Sequence, residues 1–200
     1  MASIIRLVTQ DDAADIADIY RPFVESTPIS FETEPPDELE IRKRIAGILP
    51  TYPWLVCEQA GRVVGYAYAS RHRPRAAYQW SAEMTVYVHS DFQRRGIGRG
   101  LYVSLVRILR AQGFYNAYAG VSLPNPGSVG LHESIGFQAI GVYRHVGYKM
   151  GAWHDVGWWE LALQPLVADP PLSRSVAALQ KDPSWPRMLA AGLESIRERS

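Results

Sequence analysis

Residues 93–99 form a segment rich in glycine and arginine, Gln93-Arg94-Arg95-Gly96-Ile97-Gly98-Arg99. It follows a predicted strand and precedes a helical pattern that begins near Gly98. Glycine lets a backbone turn tightly and approach a ligand, and the first N–H groups of a helix favour negative charge. With the charges of Arg94, Arg95 and Arg99, this arrangement predicts a pyrophosphate site. The alternative is a surface turn that carries arginines.

Two common phosphate-binding motifs do not fit this segment. A dinucleotide fingerprint that starts at Gly96 requires glycine or alanine at position 101, where the chain has Leu101. A Walker A motif requires Gly-Lys followed by Ser or Thr, a sequence that the chain lacks. The order that does occur, Q/R-x-x-G-x-G/A directly after Val86-Tyr87-Val88, resembles the acetyl-coenzyme A motif of the GNAT acetyltransferases.

The resemblance covers roughly residues 4–163 and is carried by several further segments. Asn125 followed by Leu131, Gly136 and Phe137 is similar to the helix, turn and strand after the coenzyme site of GNAT proteins. The most specific segments resemble the phosphinothricin acetyltransferase group: Thr33-Glu34-Pro35, Tyr52-Pro53-Trp54-Leu55-Val56, Ala82-Glu83-Met84-Thr85-Val86-Tyr87-Val88 and Trp153-His154-Asp155-Val156-Gly157.

This resemblance implies an α/β fold with a curved, mixed β-sheet that is splayed near its middle and flanked by helices. Acetyl-CoA would lie in the opening as co-substrate, and the acceptor amine would approach from the other side for direct transfer in a ternary complex. The resemblance implies that Val86 and Val88, with Tyr87 between them, hold the pantetheine arm. Residues 94–99 would hold the pyrophosphate, and Asn125 would help to fix the coenzyme.

Glu83 is the candidate base. Acetyl transfer to an amine requires that the amine lose its proton and that the departing thiolate gain one. Glu83 lies two residues before Thr85, where the predicted strand enters the cleft, and the resemblance favours it for taking the amine proton directly or through water. The alternative is a solvated carboxylate at a strand edge.

His132 is the candidate for the thiolate proton. Many GNAT proteins have a tyrosine in an L-Y-x-x-x-G-F context, where this chain has Leu131-His132-Glu133-Ser134-Ile135-Gly136-Phe137. An imidazole, with a reference pKa of about 6.5, exchanges protons near neutral pH. The alternative is a histidine that caps a helix or is satisfied in the core. A zinc helix would need a second histidine at position 136, which is glycine, so we expect no metal.

The loop Arg71-His72-Arg73-Pro74-Arg75 is the candidate anion-binding part of the acceptor site. Guanidinium groups bind carboxylates and phosphinates through forked hydrogen bonds. The acceptor would be a small amino-acid-like amine such as phosphinothricin, with methionine sulfoximine or sulfone as the alternative; a solvated loop tip would bind neither. The predicted acceptor-binding residues are Phe31, Arg73, Arg75, Tyr78, Thr85 and Tyr87.

The elements that must position these residues follow from apolar periodicity. Strands are predicted at residues 4–8, 54–58, 62–70, 83–89, 117–121, 138–143 and 156–163. Helices are predicted at 37–49, 98–112 and 126–135, and a first helix follows a cap at Thr9 and Asp12 with its apolar stripe at residues 16–23. Strands occur both in hairpins and in alternation with helices, which favours a mixed sheet covered by helices. Prolines then interrupt the chain, so we predict an acetyltransferase domain at 1–164 and a C-terminal appendage at 165–200 with one helical stripe at 188–196.

Composition narrows the possible partners. The 200 residues carry 21 Lys and Arg against 20 Asp and Glu, a net charge of +1, which disfavours nucleic acid and anionic membranes as partners. Cys57 is the single cysteine, and the sequence shows no leader or spanning segment, so we expect a cytoplasmic protein.

A homodimer is an open alternative to a monomer. A coenzyme A-binding module without catalysis is the rival function; it would be expected to lack Glu83 or His132.

Overall fold

The structure, a computed structural model, describes residues 3–197. One sheet contains seven strands: β1 (Ser3–Leu7), β2 (Trp54–Gln59), β3 (Arg62–Arg71), β4 (Ser81–Val88), β5 (Asn116–Leu123), β6 (Gln138–Lys149) and β7 (Ala152–Ala162). The α-helices are α1 (Ala13–Ser26), α2 (Glu38–Ile48), α3 (Ile97–Gln112), α4 (Pro126–Ile135), α5 (Val176–Gln180) and α6 (Trp185–Ala190). No helix within residues 3–197 is both long and apolar enough to cross a membrane.

The sheet has the order β1-β2-β3-β4-β5-β7-β6. Its neighbouring strands are antiparallel except β4 and β5, which run parallel. These two strands pair only from Ser81 to Glu83 on β4 and from Asn116 to Tyr118 on β5, and then separate. The predicted mixed sheet with an opening near its middle is therefore confirmed.

Helices cover both faces of the sheet, because each carries one apolar stripe. On one face α1 buries Ile16, Ile19 and Tyr20, and α2 buries Ile41 and Ile45. On the other face α3 buries Leu101, Leu105, Ile108 and Leu109. These stripes confirm the predicted helices, and α4 has the predicted bounds, capped by Asn125 and ended by Gly136.

The last hairpin is longer than the sequence predicts. Strand β6 continues six residues past Tyr143 to Lys149, and β7 begins at Ala152 rather than at Val156. Most of β6 is exposed, so its residues lack the alternation of a half-buried strand. An irregularity between Tyr143 and Gly147, where His145 has a φ of +50°, further interrupts the pattern.

The C-terminal segment, residues 165–197, packs against α3 and joins the main core. Val176, Leu179, Trp185 and Met188 are buried there. The predicted single helical stripe at 188–196 is wrong in extent, because α5 and α6 both begin before it. Each of these helices is only 5 or 6 residues long, too short for a clear period. The division of the chain at residue 164 stays a prediction.

Small residues on α3 let the backbone of this segment approach closely. A Cβ atom added to Gly192 would lie 1.8 Å from the carbonyl oxygen of Gly100, so neither position has room for a side chain. Ser104, one turn further along α3, donates to the Leu189 carbonyl oxygen (2.8 Å) and accepts from the Gly192 amide (3.0 Å). At the other end, the Arg197 amide donates to the carbonyl oxygen of Arg95 (2.9 Å). The segment is thereby attached to the glycine-rich loop.

We predict that Leu179→Ala destabilises the whole protein. Leu179 is 0% exposed in the main core, and truncation of a buried leucine typically costs about 2–5 kcal/mol. Leu172→Ala is the control, because Leu172 lies in the same segment and is 73% exposed. Thermal unfolding measures both. Equal melting temperatures for the two variants would contradict the observed packing.

Candidate active site

The opening between β4 and β5 leaves part of the β4 backbone without a strand partner. The His89 amide donates to Val64 on β3, and the Trp80 carbonyl accepts from Tyr115, which leads into β5. Because backbone groups alternate in direction along a strand, even-numbered residues of β4 point toward β5. Past Glu83 these groups face the opening, and those of Val86 and Val88 lie within it. The Val88 carbonyl accepts a weak hydrogen bond from Gln93 (3.3 Å).

Three connected cavities pass through this opening. A groove of about 340 Å³ runs along Val86, Val88 and the glycine-rich loop toward Asn125. A cavity of about 400 Å³ lies on the face covered by α1 and is lined by Phe31 and Glu83. A smaller space of about 100 Å³ lies between them. Ile29 and Tyr87 line all three, so a molecule in the groove and a molecule in the larger cavity would be neighbours.

The glycine-rich loop forms the start of α3. Gly96 is the residue before the helix and has a φ of +79°, a left-handed conformation that favours glycine. A Cβ atom at Gly96 would also collide with the Ser195 carbonyl oxygen, so this glycine serves the contact with the C-terminal segment as well as the turn. Gly98 faces the groove, where an added Cβ atom would lie 3.2 Å from Leu131.

The three arginines of the loop have different surroundings. Arg94 and Arg99 line the groove, and Arg94 has a φ of +62°. Arg99 also donates to the backbone and hydroxyl oxygens of Ser134 (2.7 and 2.8 Å). Arg95 donates to the Asp91 carbonyl oxygen and stacks over Phe92, so its side chain is held outside the groove. Arg94 is therefore positioned to meet an anion, with Arg99 beside it.

Two other predicted coenzyme residues have structural roles in the fold. The Asn125 side chain accepts from the Ser128 amide (3.1 Å) and caps α4, while the residue lines the groove. The Ile97 side chain is 1% exposed in the core, which leaves its backbone to face a ligand. Tyr87 contacts the rings of Tyr20 and Phe23, at centroid distances of 4.8 and 5.0 Å. These contacts fix the wall that the cavities share.

Glu83 lies at the last paired position of β4, at the edge of the opening. Its side chain is 29% exposed and lines the larger cavity. Burial raises the pKa of Glu83, and the positive charge of Arg73 opposes this shift. A carboxyl group with a raised pKa is suited to proton transfer nearer neutral pH.

His132 is buried, and both of its ring nitrogens have partners. Nδ1 donates to the Ser128 carbonyl oxygen (2.7 Å), and Nε2 lies 3.0 Å from the Tyr102 hydroxyl. Since Nδ1 carries the proton, Nε2 accepts from Tyr102. Burial lowers the pKa of His132, which keeps the ring neutral, although the Ser128 hydrogen bond opposes the shift. His132 and Tyr102 both line the small central space.

The predicted acceptor residues are only partly brought together. Phe31 and Tyr87 line the cavity with Glu83, and Thr85 lines the central space. Arg73 stacks over the ring of Trp158 at 5.3 Å. Arg75 and Tyr78 are exposed and line none of the three cavities, because a short turn at Ala76–Tyr78 directs that part of the loop to solvent.

Sequence reasoning missed two groups in the cavities. Tyr102 is four residues after Gly98 on α3, so helical spacing was a signal that it faces the same side. Ser122 and Trp158 had no signal, because they come from β5 and β7. The Ser122 hydroxyl and the Trp158 indole nitrogen are buried without a hydrogen-bond partner among the described residues. Both line the acceptor cavity, where a polar ligand can satisfy them.

The groove fits coenzyme A on three structural grounds. The exposed β4 backbone can pair with the amides of a pantetheine arm, as a further strand would. The first N–H groups of α3 and the adjacent Arg94 suit a pyrophosphate. Gly98 presents no side chain in the path between them. Within residues 3–197, no group of three or more His, Cys, Asp and Glu side chains is arranged to hold a metal ion.

Comparison with known proteins places these features in a family. The family model described as an acetyltransferase (GNAT) domain matches residues 5–158. A phosphinothricin N-acetyltransferase from Streptomyces viridochromogenes is 44% identical over 156 residues, 78% of this chain and 85% of the relative. An L-methionine sulfoximine/L-methionine sulfone acetyltransferase from Salmonella typhimurium is 33% identical over 165 residues, 82% of this chain and 96% of the relative.

Solved structures agree with this assignment. A GNAT superfamily phosphinothricin acetyltransferase from Sinorhizobium meliloti in complex with acetyl-CoA has a TM-score of 0.77 at 32% identity, covering 88% of this chain and 92% of that one. A putative acetyltransferase from Salmonella typhimurium with its cofactor acetyl-CoA has a TM-score of 0.81 at 31% identity, covering 84% and 98%. The chain belongs to the GNAT acetyltransferase family. Its activity is acetyl-CoA-dependent N-acetylation.

We predict that Gly98→Val abolishes the stabilisation of the protein by acetyl-CoA. A ligand that binds only the native state raises the free energy of unfolding by about 2.7 kcal/mol at 100-fold excess over Kd. A valine at position 98 would project toward Leu131 and fill the groove. Gly130→Val on α4 is the control, because an added Cβ atom there meets nothing within 4 Å. An unchanged thermal shift in Gly98→Val would contradict the groove assignment.

Proposed function

We propose that this protein transfers the acetyl group of acetyl-CoA directly to the amine of a small amino-acid-like acceptor such as phosphinothricin. The observation that carries the proposal is the pair of cavities that share Ile29 and Tyr87 as lining residues where β4 and β5 separate. The relatives named phosphinothricin N-acetyltransferase support this acceptor class.

In this proposal the chain holds the coenzyme by its backbone and one arginine. The backbone of Val86 and Val88 pairs with the pantetheine arm, while the N-terminus of α3 and Arg94 bind the pyrophosphate. Bound acetyl-CoA supplies the acetyl group as a thioester. The role of Arg99 is to connect the loop to α4 through Ser134 and to add positive charge beside the groove.

Glu83 removes the proton from the acceptor's ammonium group. Its carboxylate lines the acceptor cavity at the edge of the opening, so an amine bound there lies between Glu83 and the central space. Because the pKa of Glu83 is raised, it lies closer to the pKa of the acceptor's ammonium group. A closer match of the two pKa values lowers the cost of the transfer.

His132 and Tyr102 together return a proton to the departing thiolate. His132 is buried, and its Nε2 atom accepts a hydrogen bond from the Tyr102 hydroxyl. This hydroxyl is the group of the pair that faces the central space. Burial raises the pKa of Tyr102, so its hydroxyl is protonated before the transfer. As the C–S bond breaks, the sulfur takes the hydroxyl proton of Tyr102, and the phenolate oxygen recovers a proton from solvent. The hydrogen bond of Nδ1 to Ser128 fixes the tautomer that this arrangement needs.

Arg73 recognises the anionic end of the acceptor. Its positive charge opposes the rise in the pKa of Glu83, and its guanidinium is held over Trp158, a residue that lines the acceptor cavity. The unpartnered Ser122 hydroxyl and Trp158 indole nitrogen add neutral polar contacts. Methionine sulfoximine presents a tetrahedral polar group at a similar distance from its amino-acid head, and relatives of that name make it the second candidate.

We further propose a homodimer that buries the outer hairpin. Strand β6 is an edge strand, and β6, β7 and the turn between them expose a set of large apolar side chains: Ile140, Val142, Tyr143, Val146, Tyr148, Met150 and Trp153. An exposed apolar edge strand of this kind favours pairing with a second copy. Trp153 is 62% exposed and packs on Tyr148, which is 61% exposed.

The proposed base is tested by Glu83→Gln. We expect kcat to fall about 10²- to 10⁴-fold while acetyl-CoA still stabilises the protein, because the amide keeps the shape and loses the base. In the wild type, burial raises the pKa of Glu83 above 4.5, so activity should fall as the pH decreases through that raised value. Glu133→Gln, at an exposed carboxylate on α4, is the control. Full activity in Glu83→Gln would contradict the proposed base.

The anion site is tested by comparing Arg73→Ala with Arg75→Ala. Loss of a charged hydrogen-bonding partner costs about 1.5–3 kcal/mol, which is roughly ten- to a hundred-fold in binding. We expect Arg73→Ala to raise KM for phosphinothricin by that factor, and to change KM for a neutral amine far less. Arg75→Ala should have a smaller effect, because Arg75 is exposed, whereas Arg73 is half-buried over Trp158. The reverse order of effects would exclude Arg73 as the anion partner.

The homodimer is tested by sedimentation velocity. We expect the wild type to sediment as a dimer and Trp153→Glu as a monomer, because a carboxylate on the apolar hairpin would be buried without a partner. Leu172→Glu, at an exposed apolar position away from the hairpin, should remain dimeric. A monomeric wild type at micromolar concentration would rule out the dimer.

A further inference from the structure

His72 lies in the loop between β3 and β4 and is enclosed by aromatic rings from three elements. Its ring stacks on Tyr118 of β5 with the centroids 4.3 Å apart. Tyr78 and Trp158 make edge contacts with it at 6.1 and 6.0 Å. Only 11% of the side chain is exposed. These contacts fix the orientation of the imidazole.

In this orientation one ring nitrogen lies close to the proposed base. The Nδ1 atom of His72 is buried, has no hydrogen-bond partner among the described residues, and lies 3.5 Å from Oε2 of Glu83. Burying a ring nitrogen without a hydrogen-bond partner costs free energy, and such unpaired groups are often found where a protein binds or reacts with a ligand. Catalytic hydrogen bonds are often long in the absence of substrate and shorten when it binds. The distance of 3.5 Å is within the range that such tightening closes.

We propose that His72 is the proton partner of Glu83 and receives at Nδ1 the proton that Glu83 removes from the acceptor. This inference rests on the proposed role of Glu83 as the base. The N–H bond of the ammonium group breaks, its electron pair stays on the amine nitrogen, and the proton binds Oε2. The O–H bond then breaks toward the lone pair of Nδ1, which restores the carboxylate and forms an imidazolium. The imidazolium loses its Nε2 proton to solvent, and proton exchange with solvent between turnovers returns the ring to the tautomer that has a lone pair on Nδ1.

The surroundings of the pair favour this exchange. Burial, with Arg73 beside it, lowers the pKa of His72, so the resting imidazole is neutral and has a lone pair to offer. Burial raises the pKa of Glu83, so its carboxyl group holds a proton more tightly than an exposed carboxyl group does. A neutral imidazole directly beside it provides a path by which the carboxylate is regenerated.

Other charged and titratable groups near the pair come from every element around it. They are Arg73 in the same loop, Tyr78 in the following turn, Tyr68 on β3, Tyr118 on β5 with Glu160 beyond it, Tyr102 on α3, and Glu32 across the cavity. Burial raises the pKa of Tyr68, Tyr102 and Tyr118, so these hydroxyls stay neutral through the acid range. Glu32 is paired with Arg44, and its pKa is lowered. His132, which lines the central space, also has a lowered pKa, so the acid limb of the pH profile reports Glu83, His72 and His132, and the change caused by a substitution at His72 isolates the contribution of His72.

The test compares His72→Phe with the wild type in steady-state kinetics. Phenylalanine keeps a ring against Tyr118 and removes both nitrogens. We expect kcat/KM for the acceptor to fall at least about tenfold, with the thermal shift by acetyl-CoA unchanged. In the wild type both groups must be unprotonated, so the limiting slope of log kcat/KM at low pH should be smaller by one in His72→Phe than in the wild type. A purely structural ring would change neither the activity nor the slope.

Two further variants separate this inference from the proposed function. Because His72 acts through Glu83, the double variant His72→Phe/Glu83→Gln should be no less active than Glu83→Gln alone. His72→Ala should regain activity on addition of imidazole, and His72→Ala/Glu83→Gln should not, which keeps the test valid if phenylalanine disturbs folding. Full activity and an unchanged slope in His72→Phe, with Glu83→Gln inactive, would overturn the role of His72 alone. Full activity in Glu83→Gln would overturn the base, and the inference with it.

Discussion

The loss of pairing between β4 and β5 after Glu83 and Tyr118 is the constraint on which the site depends. Two parallel strands that stayed paired would satisfy each other's backbone groups and close the sheet. Their separation leaves the backbone groups of Val86 and Val88 that face β5 unpaired and opens a gap in the sheet. Glu83 stands where pairing ends, so the same break that admits the coenzyme also places a carboxylate beside the gap.

The elements around this break hold it open. Tyr87 is packed against Tyr20 on α1, and α3 with α4 covers the opposite face. The C-terminal segment adds a support that the family match at residues 5–158 does not include. Its backbone packs on Gly100, and the Arg197 amide binds the Arg95 carbonyl oxygen. The geometry of the glycine-rich loop and the packing of the last 30 or so residues are thus physically linked.

The sequence predicts most of the fold because local rules and tertiary packing agree there. Helix α4 has strong local signals at both ends, a capping Asn125 and a terminating Gly136, and its predicted bounds match. Strand β6 could not be predicted at full length, because its outer half is exposed and irregular. Helices α5 and α6 are stabilised by contacts with α3 rather than by an apolar period of their own.

The site was predictable only where neighbours in sequence are neighbours in space. The glycine-rich loop and the strand before it are one continuous segment, so motif spacing located the groove. His72 contacts Tyr118 and Glu83, so a loop meets two strands there. No sequence pattern predicts these contacts, because the three residues are far apart in the chain. Arg75 shows the converse: residue type suggested an acceptor contact, but the backbone of the short turn points that part of the loop to solvent.

The measurement that tests this account most directly is amide hydrogen exchange of β4 with and without acetyl-CoA, resolved by residue. If the separated strand holds the coenzyme, the amides of Val86 and Val88, which face the opening, should exchange more slowly when acetyl-CoA is present. The Ala82 amide, which lies where β4 is paired with β5, should change little. Unchanged exchange at Val86 and Val88 at saturating acetyl-CoA would contradict the claim that this backbone is the binding surface.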